Sequence, residues 1–156
     1  MKNKLKGFTL IETVLYIGLF SIILLMVVSF MLLTQQSTEN TTKTASLYKT
    51  SEFLIQHIND TFENTTVIIE SESNFEIDQG KLTLTVSTLP KSYTLENTQI
   101  HYDGIPISPP EISINKFYLE PIYKETEIIA VRIELSLQDE KDTTLTKEIN
   151  LLSTLR

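Results

Sequence analysis

The residues from Val14 to Leu33 form an unbroken run of twenty side chains without a charge, and this run limits what the chain can fold into. At the rise of an α-helix, twenty residues extend about 30 Å, the thickness of the hydrocarbon core of a bilayer. A run of this length is typical of a membrane-spanning helix. The chain of 156 residues therefore divides into a membrane segment and a smaller remainder.

The charges on the two sides of this run predict its orientation. Lys2, Lys4 and Lys6 precede it without any acidic residue among them. Basic flanks remain in the cytoplasm, so we predict a short cytoplasmic N-terminus, one crossing of the cytoplasmic membrane, and an extracytoplasmic chain after Leu33. Beyond Gly7 the chain has 10 basic and 20 acidic residues. A negative surface repels a phosphate backbone, so nucleic acid is not a predicted partner.

A cleaved secretory signal is the first alternative to a permanent span. Such a signal has an apolar region of about 7–15 residues, followed by a small-residue cleavage site on its far side. Here the apolar run is longer, and the residues from Leu33 to Gln36 contain no A-x-A pattern. Both differences favour a span that is retained.

The segment from Lys6 to Glu12, KGFTLIE, distinguishes a membrane anchor that is cleaved by a peptidase from an ordinary, uncleaved anchor. It resembles the processing site of type IV prepilins and type II secretion pseudopilins. In that superfamily a short basic leader ends in glycine, an aromatic residue follows, and a glutamate is the fifth residue after the cut. The matching positions here are Gly7, Phe8 and Glu12.

The resemblance implies a function as well as a cut. It implies cleavage between Gly7 and Phe8 by a prepilin peptidase, N-methylation of Phe8, and storage in membrane lipid before assembly. It further implies insertion into a filament through an inner-membrane assembly platform, with other pilin or pseudopilin subunits as partners. In this superfamily the glutamate, Glu12 here, meets the N-terminal amine of a neighbouring subunit and sets the axial register.

The chemistry of Glu12 leaves several roles open. A carboxylate at the centre of a span costs about 2.5–3.5 kcal/mol and less near an interface, so it usually has a partner or a function. Cleavage after Gly7 would create a cationic amine on Phe8, four residues away and on the same helical face. That pair could form within one chain or between two. Alternatively, Glu12 lies among the lipid headgroups, stabilised only by the positive end of the helix dipole.

Two different periodicities follow the span. Apolar residues recur every three or four positions from Leu47 to Phe62, which predicts one helix from about Phe8 to about Glu63, with its weakest part at 35–44. From Val67 onward the period is two, which predicts about five to seven antiparallel strands in one sheet. Turns are predicted at 78–80, 89–91, 103–104, 109–110 and 138–143.

These patterns predict an α+β fold, a long N-terminal helix packed on an antiparallel β-sheet, as the resemblance also implies. The predicted parts are a leader at 1–7, the transmembrane half of the helix at 8–33, its extracytoplasmic amphipathic half at 34–64, and a sheet domain at 65–156.

The sequence offers no arrangement typical of an enzyme, a metal site or a cofactor site. It has no cysteine, so disulfides and thiol chemistry are excluded. Its two histidines, His57 and His101, are far apart, its four glycines are scattered, and the acidic run from Asp139 to Asp142 lacks the spacing of an EF-hand. We therefore predict a structural protein without a cofactor or a metal.

Two departures from the resembled major pilins favour a minor subunit. This chain has Ser29 where many of them carry a helix-breaking proline, and it has no cysteines to close a C-terminal loop. The leading hypothesis is a minor pilin or pseudopilin of a type IV pilus-like filament or a type II secretion pseudopilus. The alternative is a single-pass, membrane-anchored extracytoplasmic binding module.

Overall fold

The computed structural model describes the chain from Thr9 to Leu155. One long helix, α1 (Leu10–Glu63), opens it and is followed by an antiparallel β-domain. The chain divides into two compact units, one ending at Thr42 and one beginning at Lys43, so α1 contributes to both.

In the first unit, α1 exposes every side chain from Leu10 to Thr42. The Thr-rich part at 35–44, expected to be the weakest helical segment, is helical throughout. Within it, the hydroxyls of Thr38, Thr41 and Thr42 each donate to the carbonyl oxygen four residues earlier at 2.8–2.9 Å. These bonds satisfy the hydroxyls without breaking the helix, but bonds of this kind do not themselves stabilise a helix.

In the second unit, α1 buries one stripe. Leu47, Leu54, Ile58 and Phe62 are at most 3% exposed, and their spacings of seven, four and four residues place them on one face. They belong to a single apolar cluster with strand residues such as Leu82. Burial of this stripe, rather than intrinsic propensity, supplies most of the stability of such a helix.

Between Thr9 and Leu155, eight strands form two antiparallel sheets. The first sheet has the order β1-β2-β3-β4-β5, and the second has the order β6-β7-β8. A short 3₁₀ helix, Glu70–Glu72, follows the first strand. The strands are β1 (Thr65–Ile68), β2 (Lys81–Val86), β3 (Leu89–Glu96), β4 (Gln99–Tyr102), β5 (Ile105–Pro106), β6 (Ile112–Lys124), β7 (Glu127–Asp139) and β8 (Thr146–Thr154).

The fold class is confirmed: a long N-terminal helix packs on antiparallel β-structure. The strand count and the single sheet were wrong, because the short β1 and β5 add strands and β6 to β8 form a sheet of their own. The alternating pattern shows which residues are half buried, but it does not show which strands are neighbours.

The turn predicted at 89–91 was also wrong, because Leu89, Pro90 and Lys91 lie in β3. The chain reverses two residues earlier, at Ser87 and Thr88, both of which have positive φ. Pro90 is tolerated because β4 pairs only with Tyr93–Glu96, so β3 has a partner on one side at Pro90.

Candidate functional site

Glu12 lies in the first turn of α1, where its carboxylate caps the helix. Its Oε2 accepts hydrogen bonds from the backbone N–H of Thr9 at 2.9 Å and from the Thr9 hydroxyl at 3.0 Å. In return, the backbone N–H of Glu12 donates to Oγ1 of Thr9 at 3.4 Å. This reciprocal arrangement is a capping box, with Thr9 at the N-cap and Glu12 three residues later.

Thr9 is the site residue that the sequence analysis missed. A Thr-x-x-Glu pattern directly before an apolar run is a readable signal for a helix start. Within the described part of the chain, both bonds reach Oε2, and no donor reaches Oε1. The cap therefore engages one carboxylate oxygen and leaves the second open to a further donor.

The predicted processing residues Gly7 and Phe8 lie outside the described residues. The structure therefore places only one member of the predicted set, Glu12, and places it at the start of a helix. Because α1 begins at Leu10, the helix starts three residues beyond Gly7.

The residues after Glu12 make α1 long and apolar enough to cross a membrane. Large apolar side chains from Val14 to Leu33 are about half exposed or more. Two hydroxyls of this segment are bonded within the helix: Thr13 donates to the Leu10 carbonyl and Ser21 to that of Ile17, both at 2.8 Å. Such bonds lower the cost of placing these two groups in an apolar medium.

A polar cluster joins the second half of α1 to the first sheet. The phenol oxygen of Tyr93, on β3, lies 2.8 Å from Nδ1 of His57 and 2.7 Å from Oγ1 of Thr61. Thr61 also lies 2.7 Å from the His57 carbonyl, and the His57 ring packs edge-on against Tyr102 at 4.9 Å. These contacts fix the rotation of the helix over the sheet.

The titration of this cluster follows from its packing. Burial raises the pKa of the Tyr93 phenol far above its ordinary value, so the hydroxyl remains protonated. Burial also lowers the pKa of His57, against a smaller opposing effect of Asp60. The other histidine, His101, lies 3.2 Å from the carbonyl of Gln99 and contributes nothing to this cluster.

The acidic turn between β7 and β8 uses its carboxylates to hold its own backbone. Oδ1 of Asp139 accepts from the N–H groups of Lys141 and Asp142 at 3.0 and 2.8 Å. Oδ1 of Asp142 accepts from the backbone and the hydroxyl of Thr144, which lowers the pKa of Asp142. Between Thr9 and Leu155, no group of three histidine or acidic side chains is placed to hold a metal ion.

These features define the class: an α+β protein whose described N-terminal helix is long and apolar enough to cross a membrane. No family model, no curated protein and no solved structure matches this chain.

Proposed function

We propose that this protein is a minor pilin-like or pseudopilin subunit, cleaved after Gly7 and assembled into a type IV pilus-like filament or a type II secretion pseudopilus. One observation carries the proposal. The segment Gly-Phe-Thr-Leu-Ile-Glu, at 7–12, directly precedes an uncharged helical run, and its glutamate and threonine form the first turn of that helix.

Processing is a hydrolysis of the Gly7–Phe8 peptide bond by a prepilin peptidase. A protease binds its substrate as an extended backbone, and glycine presents no side chain that would obstruct this approach. The cut leaves the basic leader at 1–7 and a new amine on Phe8, which is then methylated. In the sequence, Phe8 directly precedes Thr9, the N-cap residue of α1.

Assembly then uses charge and apolar packing. The Phe8 amine of one subunit pairs with Glu12 of its neighbour, and the geometric demands of a compensated pair in an apolar surrounding set the register. The capping box supports this role, because it holds the carboxylate in one rotamer and leaves Oε1 without a donor among the described residues.

The apolar surface of α1 is covered by lipid before assembly and by neighbouring helices afterwards. Before assembly, lipid covers the exposed side chains from Val14 to Leu33, and the assembly platform receives the subunit there. In the filament, helices of neighbouring subunits replace the lipid. The β-domain stays outside the membrane, and the protein acts by packing and not by catalysis.

Intact mass measurement tests the processing step. Expressed with a prepilin peptidase, the membrane form should lose residues 1–7 and gain one methyl group. Gly7→Leu should retain the leader. The control variant Gly18→Ala should be cut normally, because outside the adjoining helix backbone no atom lies within 4 Å of the added methyl group. An uncut wild-type chain in cells that process other prepilins would refute the proposal.

Shearing tests the assembly step separately. The processed protein should appear in sheared filaments and should require the assembly ATPase for that location. Retention of all processed protein in the membrane fraction, with or without the ATPase, would instead favour a membrane-anchored binding module.

A further inference from the structure

The ladder between β7 and β8 shows which backbone groups of β8 face away from the sheet. The two strands pair without a register shift from Gln138 opposite Thr146 to Ala130 opposite Thr154. Just beyond the two ends, the Leu145 carbonyl accepts from Asp139 N–H at 3.1 Å, and Leu155 N–H donates to Ile129 at 2.9 Å. In an antiparallel ladder, residues alternate between facing the partner strand and facing away from it.

Odd-numbered residues of β8 therefore direct their N–H and C=O groups to β7, and even-numbered residues direct theirs outward. All five outward-facing residues are exposed. Within 9–155, no hydrogen bond outside the β7–β8 ladder reaches any of them. They are Thr146, Glu148, Asn150, Leu152 and Thr154.

The edges of the other strands are short or covered. In the first sheet, β1 has four residues and a bulge, and β5 has two residues, one of them Pro106. In the second sheet, a loop covers β6: Gly80 N–H donates to the Phe117 carbonyl, and Phe117 N–H donates to Asp78, both at 2.8 Å. These are the usual protections against unwanted strand pairing.

Strand β8 lacks these protections. It has nine residues, no proline and no bulge in its pairing with β7, and its last six residues, from Ile149 to Thr154, carry no charge. Leu152 is 55% exposed on the outer face. A long, straight and partly apolar edge is a template for another strand.

We propose that the free edge of β8 docks an extended segment of a different polypeptide, which adds to the second sheet as a fourth strand. The outward N–H and C=O groups supply the hydrogen bonds. On the inner face, buried Ile149 and half-buried Leu151 require apolar residues in the partner. On the outer face, Glu148 favours a basic residue opposite it, and Leu152 favours an apolar one.

A second copy of this chain does not fit the edge well. Antiparallel pairing of two β8 strands relates the copies by a two-fold axis perpendicular to the sheet, which makes their helical residues 43–63 run in opposite directions. Two chains whose N-terminal spans lie in one bilayer enter it from the same side, so helices that run in opposite directions do not suit such a pair. Parallel pairing inverts one sheet and places the apolar inner row of one copy beside the polar outer row of the other.

A synthetic nonapeptide, TKLINLKST, is a suitable probe. Paired antiparallel with its fifth residue opposite Asn150, it places its seventh residue, lysine, opposite Glu148 and its third, leucine, opposite Leu152. Binding of the labelled peptide to the full chain in detergent micelles is measured by fluorescence anisotropy. Hydrogen exchange then reports whether the peptide protects the amides of 146–154.

Two sets of variants test the geometry. Asn150→Pro removes an outward N–H and should weaken binding at least about tenfold, whereas Asn150→Ala should change it less than about twofold. Glu148→Lys should weaken binding of the probe, and the peptide TKLINLEST, with glutamate at the seventh position, should restore it. This exchange of charges keeps the test valid if the proline variant fails to fold.

Saturable binding with slowed exchange in 146–154, sensitivity to Asn150→Pro and restoration by the charge exchange would support the proposal. Absence of saturable binding up to about 1 mM, or equal binding by Asn150→Pro, would overturn it. Dimerisation of the full chain that Asn150→Pro abolishes would overturn the assignment of a different polypeptide as the occupant.

Discussion

Three substitutions in the first turn of α1 separate capping of the helix from the setting of register. Thr9→Ala removes the cap while keeping the charge. Glu12→Gln removes the charge while keeping an amide oxygen that accepts from Thr9 N–H, since glutamine also serves in capping boxes. Glu12→Ala removes both, and Glu39→Gln, in the polar part of the same helix, is the matched control for loss of a carboxylate.

The general energies of a helix cap and of a charge pair give the expected sizes of the two effects. Loss of a cap costs about 0.5–2 kcal/mol, which corresponds to at most about a thirtyfold change in an equilibrium. A charge pair at 4 Å contributes about 4 kcal/mol at an effective dielectric constant of 20, or nearly a thousandfold. If Glu12 sets register by its charge, Glu12→Gln should assemble almost as poorly as Glu12→Ala, and Thr9→Ala should lose much less.

Quantitative immunoblotting measures the amount of each variant in sheared filaments relative to the membrane fraction. Intact mass checks that processing after Gly7 is unchanged in each variant. Normal assembly of Glu12→Gln, together with equal losses for Thr9→Ala and Glu12→Ala, would refute the charge argument. Glu12 would then act only by starting the helix.

Two further predictions concern the β-domain, and both are checked by urea unfolding of the solubilised protein. Gly80→Ala should destabilise it by about 1–3 kcal/mol, because a Cβ there would lie 2.9 Å from the backbone oxygen of Phe117 and 2.9 Å from Cδ1 of Leu119. Gly18→Ala should leave the unfolding unchanged, and an unchanged midpoint for Gly80→Ala would contradict the packing. Burial lowers the pKa of His57 in the folded protein below its ordinary value of 6.5. Below pH 6.5 the unfolded state therefore binds more protons than the folded state. The free energy of unfolding should fall as the pH is lowered below 6.5, and it should level off above that pH. His57→Gln should flatten the slope; a slope that persists in His57→Gln would assign it to other groups.

Local patterns predicted the parts of this fold that depend on neighbours in sequence. The stripe of Leu47, Leu54, Ile58 and Phe62 identified the buried face of α1, since helical periodicity depends only on spacing. Alternation identified β2, β7 and β8 within a few residues, for the same reason. The division into two sheets was not predicted, because alternation does not specify strand partners.

The polar contacts were harder to predict than the elements. His57 and Tyr93 lie 36 residues apart, and only the packing of α1 on β3 brings their polar atoms to 2.8 Å. The open edge of β8 likewise depends on which strands the loop at 74–80 covers. By contrast, the capping box of Thr9 and Glu12 is local, and its pattern was present in the sequence.

The capping box also changes what the resemblance to prepilins implies for Glu12. The sequence offers two explanations for the carboxylate of Glu12, a partner amine or the positive end of the helix. The observed geometry does not require that choice, because Oε2 accepts both bonds from Thr9 and no described residue donates to Oε1. A bond from the amine of another chain to Oε1 would therefore add to the cap instead of breaking it. A carboxylate already held in one rotamer also loses less side-chain entropy when that bond forms.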